Sequence, residues 1–423
     1  MKRELALQLL QTIMPGLADE SSAARLFREL QLLADYKYNK YEMYYPGRLF
    51  LENLYLWLQQ FDENERSDAL EFIRTQLIFI SREEFQQLAQ ILYNDRIRRQ
   101  QFEIAADYAA LPRYRVQTIR SSRAFSRTAR ASLYVGMSDG ARLDFIRRHN
   151  LELNNEQVIP YYAVHQDKVD DCLQALRAEV GDRNALFRCL FLVDDFAGSG
   201  HTLLREVVSA GPLPAQWNPP AIPPRWQARL RFTGEPLAME FLYRGEVSGS
   251  ELDDLGSLDA DDSYQAVVQA VVEKCRTRET LLKGALDKVA KGAIGAALEP
   301  KAAVFFCPLL TTEHALIRLT PLLRRLPAQF ANTQVLAGAV IDSDVPITDS
   351  TSTRIGALCD RYYDENIGDE HTGNVKFGYD GCGLPLVLHH NTPNNSLFLL
   401  WARRSQNLAP LFVRYERHGR EGF

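Results

Sequence analysis

Two periodicities divide this chain. In its first third, apolar residues return every three or four positions over Ala23 to Leu33, Gly47 to Gln60, Glu65 to Phe79 and Arg82 to Tyr93. That spacing predicts amphipathic helices. Phe61-Asp62-Glu63-Asn64-Glu65 puts acids where a helix should begin and marks a turn. From residue 131 short apolar runs alternate with helical patterns. The runs Ala131 to Val135, Gln157 to Ala163, Leu186 to Val193, Ala302 to Phe306, Thr333 to Ile341 and Leu384 to His389 predict strands. Ala141 to His149, Lys168 to Val180, Glu313 to Leu326 and Thr353 to Tyr363 predict helices between them. Such alternation implies right-handed βαβ units on a parallel sheet. Ligands then sit at the carboxyl ends of the strands.

One stretch breaks the alternation. Six prolines between Pro212 and Pro224 predict an extended linker, and Ser263 to Leu298 reads as one or two helices with Ala and Val on one face. The expected organisation is therefore a helical region over 1–130 with a basic end, α/β segments over 131–210 and 301–423, and a linker with a helical cap over 211–300.

Composition narrows the class. The 46% hydrophobic content and net charge of −5 are those of an ordinary globular protein. No apolar run approaches the length of a membrane span, and Met1-Lys2-Arg3-Glu4 leads into an amphipathic pattern rather than an apolar block. A cytoplasmic protein without membrane partners is expected. Cysteines 172, 189, 275, 307, 359 and 382 are scattered, with no Cys-x-x-Cys. Buried free thiols are expected, and no metal ligands are assigned.

Charge is unevenly spread. Between Arg96 and Arg148 twelve arginines face four acids. Arg113, Arg115, Arg120, Arg123, Arg127 and Arg130 are candidate nucleic-acid contacts, since such a run binds phosphate backbones without reading sequence. A solvated face, or pairing with the acidic stretch Glu251 to Asp262, would use the same residues. Tyr36, Tyr38, Tyr41, Tyr44 and Tyr45 crowd one connecting segment, as an aromatic-packed loop or a ligand platform.

The densest candidate chemistry lies in Cys189-Leu-Phe-Leu-Val-Asp194-Asp195-Phe-Ala-Gly198-Ser199-Gly200-His201-Thr202. An apolar run ends in two acids, turns through Gly/Ser and enters a helical pattern. Loop amides and a helix N-terminus favour an anion, and glycines let backbone approach it. The carboxylates suit sugar hydroxyls. Asp194 and Asp195 are the catalytic candidates; Gly198, Ser199, Gly200, His201 and Thr202 are the phosphate-binding ones. Gly136, Ser138, Asp139 and Gly140 follow the first strand and would lie at the same sheet end, as a ligand loop or as an ordinary tight turn.

The string resembles two families. Phosphoribosyltransferases carry an apolar strand, Asp/Glu-Asp, two variable residues, then Thr/Ser-Thr/Ser-Gly-x-Thr. Amino-methyltransferases that use S-adenosylmethionine carry Asp-Pro-Phe-x-Gly-Ser-Gly-Thr-Thr. They also need Asn/Asp-Pro-Pro-aromatic at a strand end, to stack on a flipped base. Here Asn218-Pro219-Pro220 is followed by Ala221 and preceded by a proline-rich stretch, and Asp195 stands where that family has proline. Both departures favour the phosphoribosyltransferase reading.

Near the C-terminus, Leu384 to His389 leads into His390-Asn391-Thr392-Pro393-Asn394-Asn395 and an apolar run ending in Trp401. Asn391, Thr392, Asn394 and Asn395 could grip a base or sugar, or bond among themselves to shape the strand exit. His389 and His390 are the best-placed imidazoles for acid–base work. Neighbours on a strand point to opposite faces, so at most one faces a given site. With Trp57-Leu58-Gln59-Gln60-Phe61 and the Val193–Gly200 loop, this segment resembles the phosphoribosyltransferase-like domain family of bacterial conflict systems.

The resemblance implies an α/β fold with a phosphoribosyltransferase-like parallel sheet, an N-terminal helical region and an inserted helical cap. It implies a ribonucleotide ligand such as phosphoribosyl pyrophosphate, with magnesium, and ribosyl transfer or N-glycosidic cleavage. It further implies an effector of anti-phage defence, with a retron reverse transcriptase and its nucleic acid, or other defence subunits, as partners. A nucleotide-sensing or partner-docking module without catalysis is the alternative. Gly198 stands where some phosphoribosyltransferases place an acid as base, and no clear cationic motif for pyrophosphate is visible.

Overall fold

The computed structural model describes residues 3–14, 19–44, 49–160, 165–200, 293–324, 330–349, 353–367, 374–402 and 409–414. The chain divides into two compact units, one of residues 1–85 with 343–423 and one of residues 86–342. Periodicity drew boundaries at 130, 210 and 300 instead, because it records where local pattern changes rather than which segments touch. The linker and most of the cap expected over 211–300 lie outside the described residues, which resume at 293.

Eight strands are described: β1 (Ile78–Ile80), β2 (Ser132–Gly136), β3 (Val158–Ile159), β4 (Phe187–Ala197), β5 (Leu298–Thr312), β6 (Phe330–Val335), β7 (Ala339–Ile341) and β8 (Leu386–Leu388). Six of them form the sheet of the larger unit, in the order β3-β2-β4-β5-β6, with β7 also on β5. Every pairing in it is parallel. The mixed α/β class expected from the alternation is therefore the class observed. The central strands read as near-continuous apolar runs, as strands buried on both faces do. Helices Leu143–His149 and Gln166–Val180 make the crossovers, the second burying Val169, Cys172, Leu173 and Leu176 at helical spacing.

Pairing carries the central strands beyond their apolar runs. β4 continues through Asp194 and Asp195 to Ala197, and β5 continues to Thr312, because ladder bonds form from backbone whatever the side chains are. The single strand expected over Thr333 to Ile341 is split into β6 and β7. Between them the amides of Leu336 and Gly338 still donate to Phe306 and Pro308 of β5. A Cβ at Gly338 would lie 2.4 Å from the Leu309 carbonyl oxygen, so only glycine fits there.

In the smaller unit the helix expected over Glu65 to Phe79 ends at Thr75, and Ile78–Ile80 forms β1 instead. β1 pairs in parallel with β8, Ile78 opposite Leu386 and Ile80 opposite Leu388. The run Leu384 to His389 thus belongs to a separate two-stranded sheet and not to the main alternation. A three-residue apolar run has no period to separate strand from helix, and its partner lies some three hundred residues away.

That unit's core joins the chain's two ends. Trp57 is fully buried, meets Phe61 edge to face at 4.8 Å, and donates its indole N–H to the Leu399 carbonyl at 2.7 Å. Phe412 lies among the rings of Tyr38, Tyr41, Phe50 and Phe79. Of the crowded tyrosines, Tyr38 and Tyr41 are buried in this cluster, Tyr36 is exposed, and Tyr45 lies outside the described residues. The segment packs as an aromatic loop.

Cys172, Cys189, Cys307, Cys359 and Cys382 are buried free thiols; Cys275 lies outside the described residues. Burial pushes the Cys189 thiol up to about 12 and Cys307 well above its ordinary range.

Replacing Trp57 by Ala removes a filled core position and leaves the Leu399 carbonyl without its donor. We expect a loss of about 3–5 kcal/mol in denaturant unfolding of the full chain. A loss below about 1 kcal/mol would contradict the core assigned here.

Candidate active site

The parallel register brings two loops to one end of the sheet. Gly136, the last residue of β2, stands opposite Val193. The residues that follow each strand are therefore neighbours, and the Met137 amide donates to the Val193 carbonyl at 2.7 Å. Ser138 donates its hydroxyl to Asp194 Oδ1 at 2.5 Å. Gly140 lies against Asp195, where an added Cβ would sit 2.6 Å from Oδ2. The missing side chain at Gly140 is what leaves room for that carboxylate. Asp139 opens the short turn through Ala141, and Arg142 closes the loop with a left-handed φ of 48°. A non-glycine residue in that region stores strain, which is common beside functional sites. The sequence-assigned residues Ser138 and Gly140 thus meet Asp194 and Asp195, and Gly136 sets their register opposite Val193.

Asp194 is buried, and the backbone N–H of Asp195 donates to its Oδ1 at 3.1 Å. Asp195 is half-buried and accepts from the Phe196 amide at 2.8 Å. Burial, and after it the charge of Asp195, hold the Asp194 carboxyl well above its ordinary value of 3.8. Two acids this close cannot both ionise cheaply. Asp194 is therefore biased toward its neutral form, and the pair presents carboxyl oxygens that can meet sugar hydroxyls.

Gly198, Ser199 and Gly200 are buried at the end of β4. Gly200 has a φ of +73°, a conformation that calls for glycine, and a Cβ there would lie 3.0 Å from the Leu319 side chain. Two residues that the sequence reading did not single out form the floor. Thr311 donates to the Ala197 carbonyl at 2.8 Å. Thr312 donates to the Gly198 carbonyl while accepting from the Ala315 amide at 3.0 Å, so one hydroxyl holds the loop and starts helix Glu313–Arg324. Their signal in the sequence was Thr311-Thr312-Glu313, two hydroxyls between an apolar strand and an acidic helix start. His201 and Thr202 lie outside the described residues.

Asn391, Thr392, Asn394 and Asn395 belong to the smaller unit. Their polar groups serve the chain. Asn391 Oδ1 accepts from the Thr392 amide at 2.9 Å, and the Thr392 hydroxyl meets Tyr41 at 3.0 Å. The Asn394 carbonyl accepts from Tyr379 at 2.6 Å, and Asn395 donates to the Tyr379 carbonyl at 3.1 Å. His389 and His390 are buried in the same unit, each with its ring 5.3 Å from Phe85.

The arginines separate into two groups. Arg127 pairs with Asp182 at 2.6 Å, Arg130 is buried and pairs with Glu179, and Arg113 pairs with Asp107 at 3.2 Å. Arg115, Arg120 and Arg123 are exposed.

The raised Asp194 carboxyl makes a signed prediction. Its contribution to stability is whole below 3.8 and is lost as pH rises through the folded-state value. Asp194→Asn should therefore melt above the parent at neutral pH, with the gain shrinking as pH falls toward 3.8. Parallel melting curves for the two proteins across that range would show that Asp194 titrates normally.

No curated protein and no solved structure gives a match. One family model does match, over residues 55–219 and 288–414. It spans the β2 loop, the Asp194–Gly200 loop, the threonine floor and the Asn391–Trp401 segment. The motif accordingly sides with the phosphoribosyltransferases and not with the amino-methyltransferases: the chain belongs to the PRTase-CE family, the phosphoribosyltransferases of conflict/effector type.

Proposed function

We propose that the Asp194–Gly200 loop binds a ribose-phosphate nucleotide, and that the protein is an effector of a bacterial anti-phage defence system acting on an N-glycosidic bond. The observation that carries this is the meeting of Asp194, Asp195, Ser138 and Gly140 at the carboxyl end of a parallel sheet, over a loop of buried glycines. The acid pair takes the two ribose hydroxyls. The amides of 198–200 and the segment after them take the 5-phosphate. The loop from Ser138 to Arg142 faces what leaves carbon 1.

Phosphoribosyl pyrophosphate is the first ligand to test. The half-buried Asp195 and its neighbour offer carboxylate oxygens, the donors that magnesium takes. When bound, magnesium would supply neutralisation of the departing pyrophosphate. The protein's own part is to hold sugar and phosphate so that an oxocarbenium-like state is reached without reorganisation. A cytoplasmic setting, with a retron reverse transcriptase and its nucleic acid or other defence subunits as partners, belongs to this proposal.

A second reading keeps the ligand and drops the chemistry. Gly198 has no side chain with which to act as a base. A nucleotide-sensing module that docks on a partner would need the same loop and no such group.

Mass spectrometry of small molecules released from purified protein distinguishes these readings. We expect a ribonucleotide from the parent, absent from Asp195→Asn and reduced in Gly140→Ala, whose new Cβ must displace the Asp195 carboxylate. Turnover of that nucleotide supports the enzyme; release unchanged after incubation supports the sensor. In bacteria, expression alone should slow growth, and Asp194→Ala with Asp195→Ala should relieve it. Equal toxicity of the double variant would remove ribosyl chemistry as the cause, and absence of toxicity in every setting would end the effector proposal.

A further inference from the structure

Away from the loop, a second feature of the larger unit calls for a ligand. From Tyr108 to Ser138 the chain has no acid and six arginines. Helices Arg98–Tyr108, Val116–Arg120 and Arg123–Arg130 fold this stretch around Ala105, Ala106, Ile119 and Phe125. Packing uses their inner faces and sorts the arginines. Arg127 and Arg130 turn to Asp182 and Glu179 at the end of helix Gln166–Val180. Arg113 takes Asp107. Arg115, Arg120 and Arg123 remain on the outside, with no ion pair among the described residues. Tyr114, between two arginines, leaves 79% of its surface in solvent.

Neither choice is explained by folding. Arg123 opens an eight-residue helix whose first turn holds no acid, so a cation sits at the positive end of the helix dipole. Ser122 already caps that helix through the Phe125 amide, at 3.2 Å, so the guanidinium is not needed there. Tyr114 buries little of its ring, although tyrosine usually earns its place by apolar contact.

We infer that this face binds single-stranded nucleic acid, with Arg115, Arg120 and Arg123 on backbone phosphates and Tyr114 stacking on a base. Exposed arginines spaced along one acid-free segment suit a run of phosphates. An exposed aromatic ring among them suits an unpaired base, whereas a duplex keeps its base faces stacked inside. An acidic protein segment would satisfy the arginines and leave the ring without a use. This binding is independent of the Asp194 loop and does not rest on its assignment.

The test is fluorescence anisotropy of the full-length protein with a labelled oligonucleotide about twenty nucleotides long, over a salt series. The triple variant Arg115→Ala, Arg120→Ala, Arg123→Ala should bind at least about tenfold more weakly than the parent at low salt. Its plot of log affinity against log salt should be shallower by about 2, three contacts at about 0.7 each. Tyr114→Ala should weaken binding about fivefold or more with the salt slope unchanged. A control triple, Arg25→Ala, Arg28→Ala, Arg183→Ala, removes equal charge from exposed positions elsewhere and should bind as the parent does. Melting curves matching the control establish that the tested triple is folded; should it melt lower, Arg120→Lys with Arg123→Lys, which keeps both charges, should restore binding in an Arg115→Ala background. Loss in the control equal to that in the tested triple would overturn the inference, as would equal affinity for duplex or full competition by a polyglutamate peptide at matched charge.

Discussion

Tyr134, Phe191 and Phe305 stand opposite one another on three adjacent strands, their rings stacked at 5.1 and 5.0 Å. All three are buried, and each is held by the one beside it. In a parallel sheet a slip of one residue would turn every side chain to the other face. This aromatic row makes such a slip costly, and everything at the end of the sheet follows from that. Gly136 stops level with Val193, so the next residues of one strand reach the next residues of the other. The hydrogen bond from Ser138 to Asp194 and the fit of Asp195 on Gly140 are consequences of register, spanning more than fifty residues of sequence.

Depth, and not only proximity, gives the site its chemistry. β5 outruns the other strands and walls in the end of β4, so Asp194 is buried while Asp195 stays half open. The Asp194 carboxyl is thereby held above the ordinary range beside the half-buried Asp195. Burial and a neighbouring acid push a carboxyl toward its neutral form, which is a common arrangement where acids do work. Thr312 ties that burial to the loop, since the same hydroxyl anchors Gly198 and starts the next helix.

The three strings that most marked the family have different physical roles. Val193 to Gly200 forms the candidate site at the end of β4. Trp57 to Phe61 and Asn391 to Trp401 form a core: the Trp57 indole bonds Leu399, Ser396 bonds the Leu386 carbonyl at 2.6 Å, and Thr392 meets Tyr41. Polar residues buried without water must each find a partner, and few sequences satisfy so many in a short turn. Asparagine and threonine in such a string can therefore be as specific as those of a ligand loop, and composition does not separate the two cases.

The sequence alone determined what depends on near neighbours. The alternation of apolar runs with helical periods was legible from residue 131, and so was the turn of acids and glycines after Val193, because strand, loop and helix starts are set by residues a few positions apart. Whatever depends on distant partners was decided by tertiary structure. That Ile78–Ile80 is a strand and not the end of a helix follows from β8 lying beside it. That Leu384 to His389 leaves the main alternation follows from the same pairing. Thr311 and Thr312 became part of the site only when β5 ran alongside β4. Of six like arginines, the sequence marks none as different; the acids of a helix some fifty residues on took two, and a neighbouring aspartate took a third. Local pattern specifies an element, but its partner, its register and the solvent left around each charge are properties of the folded whole.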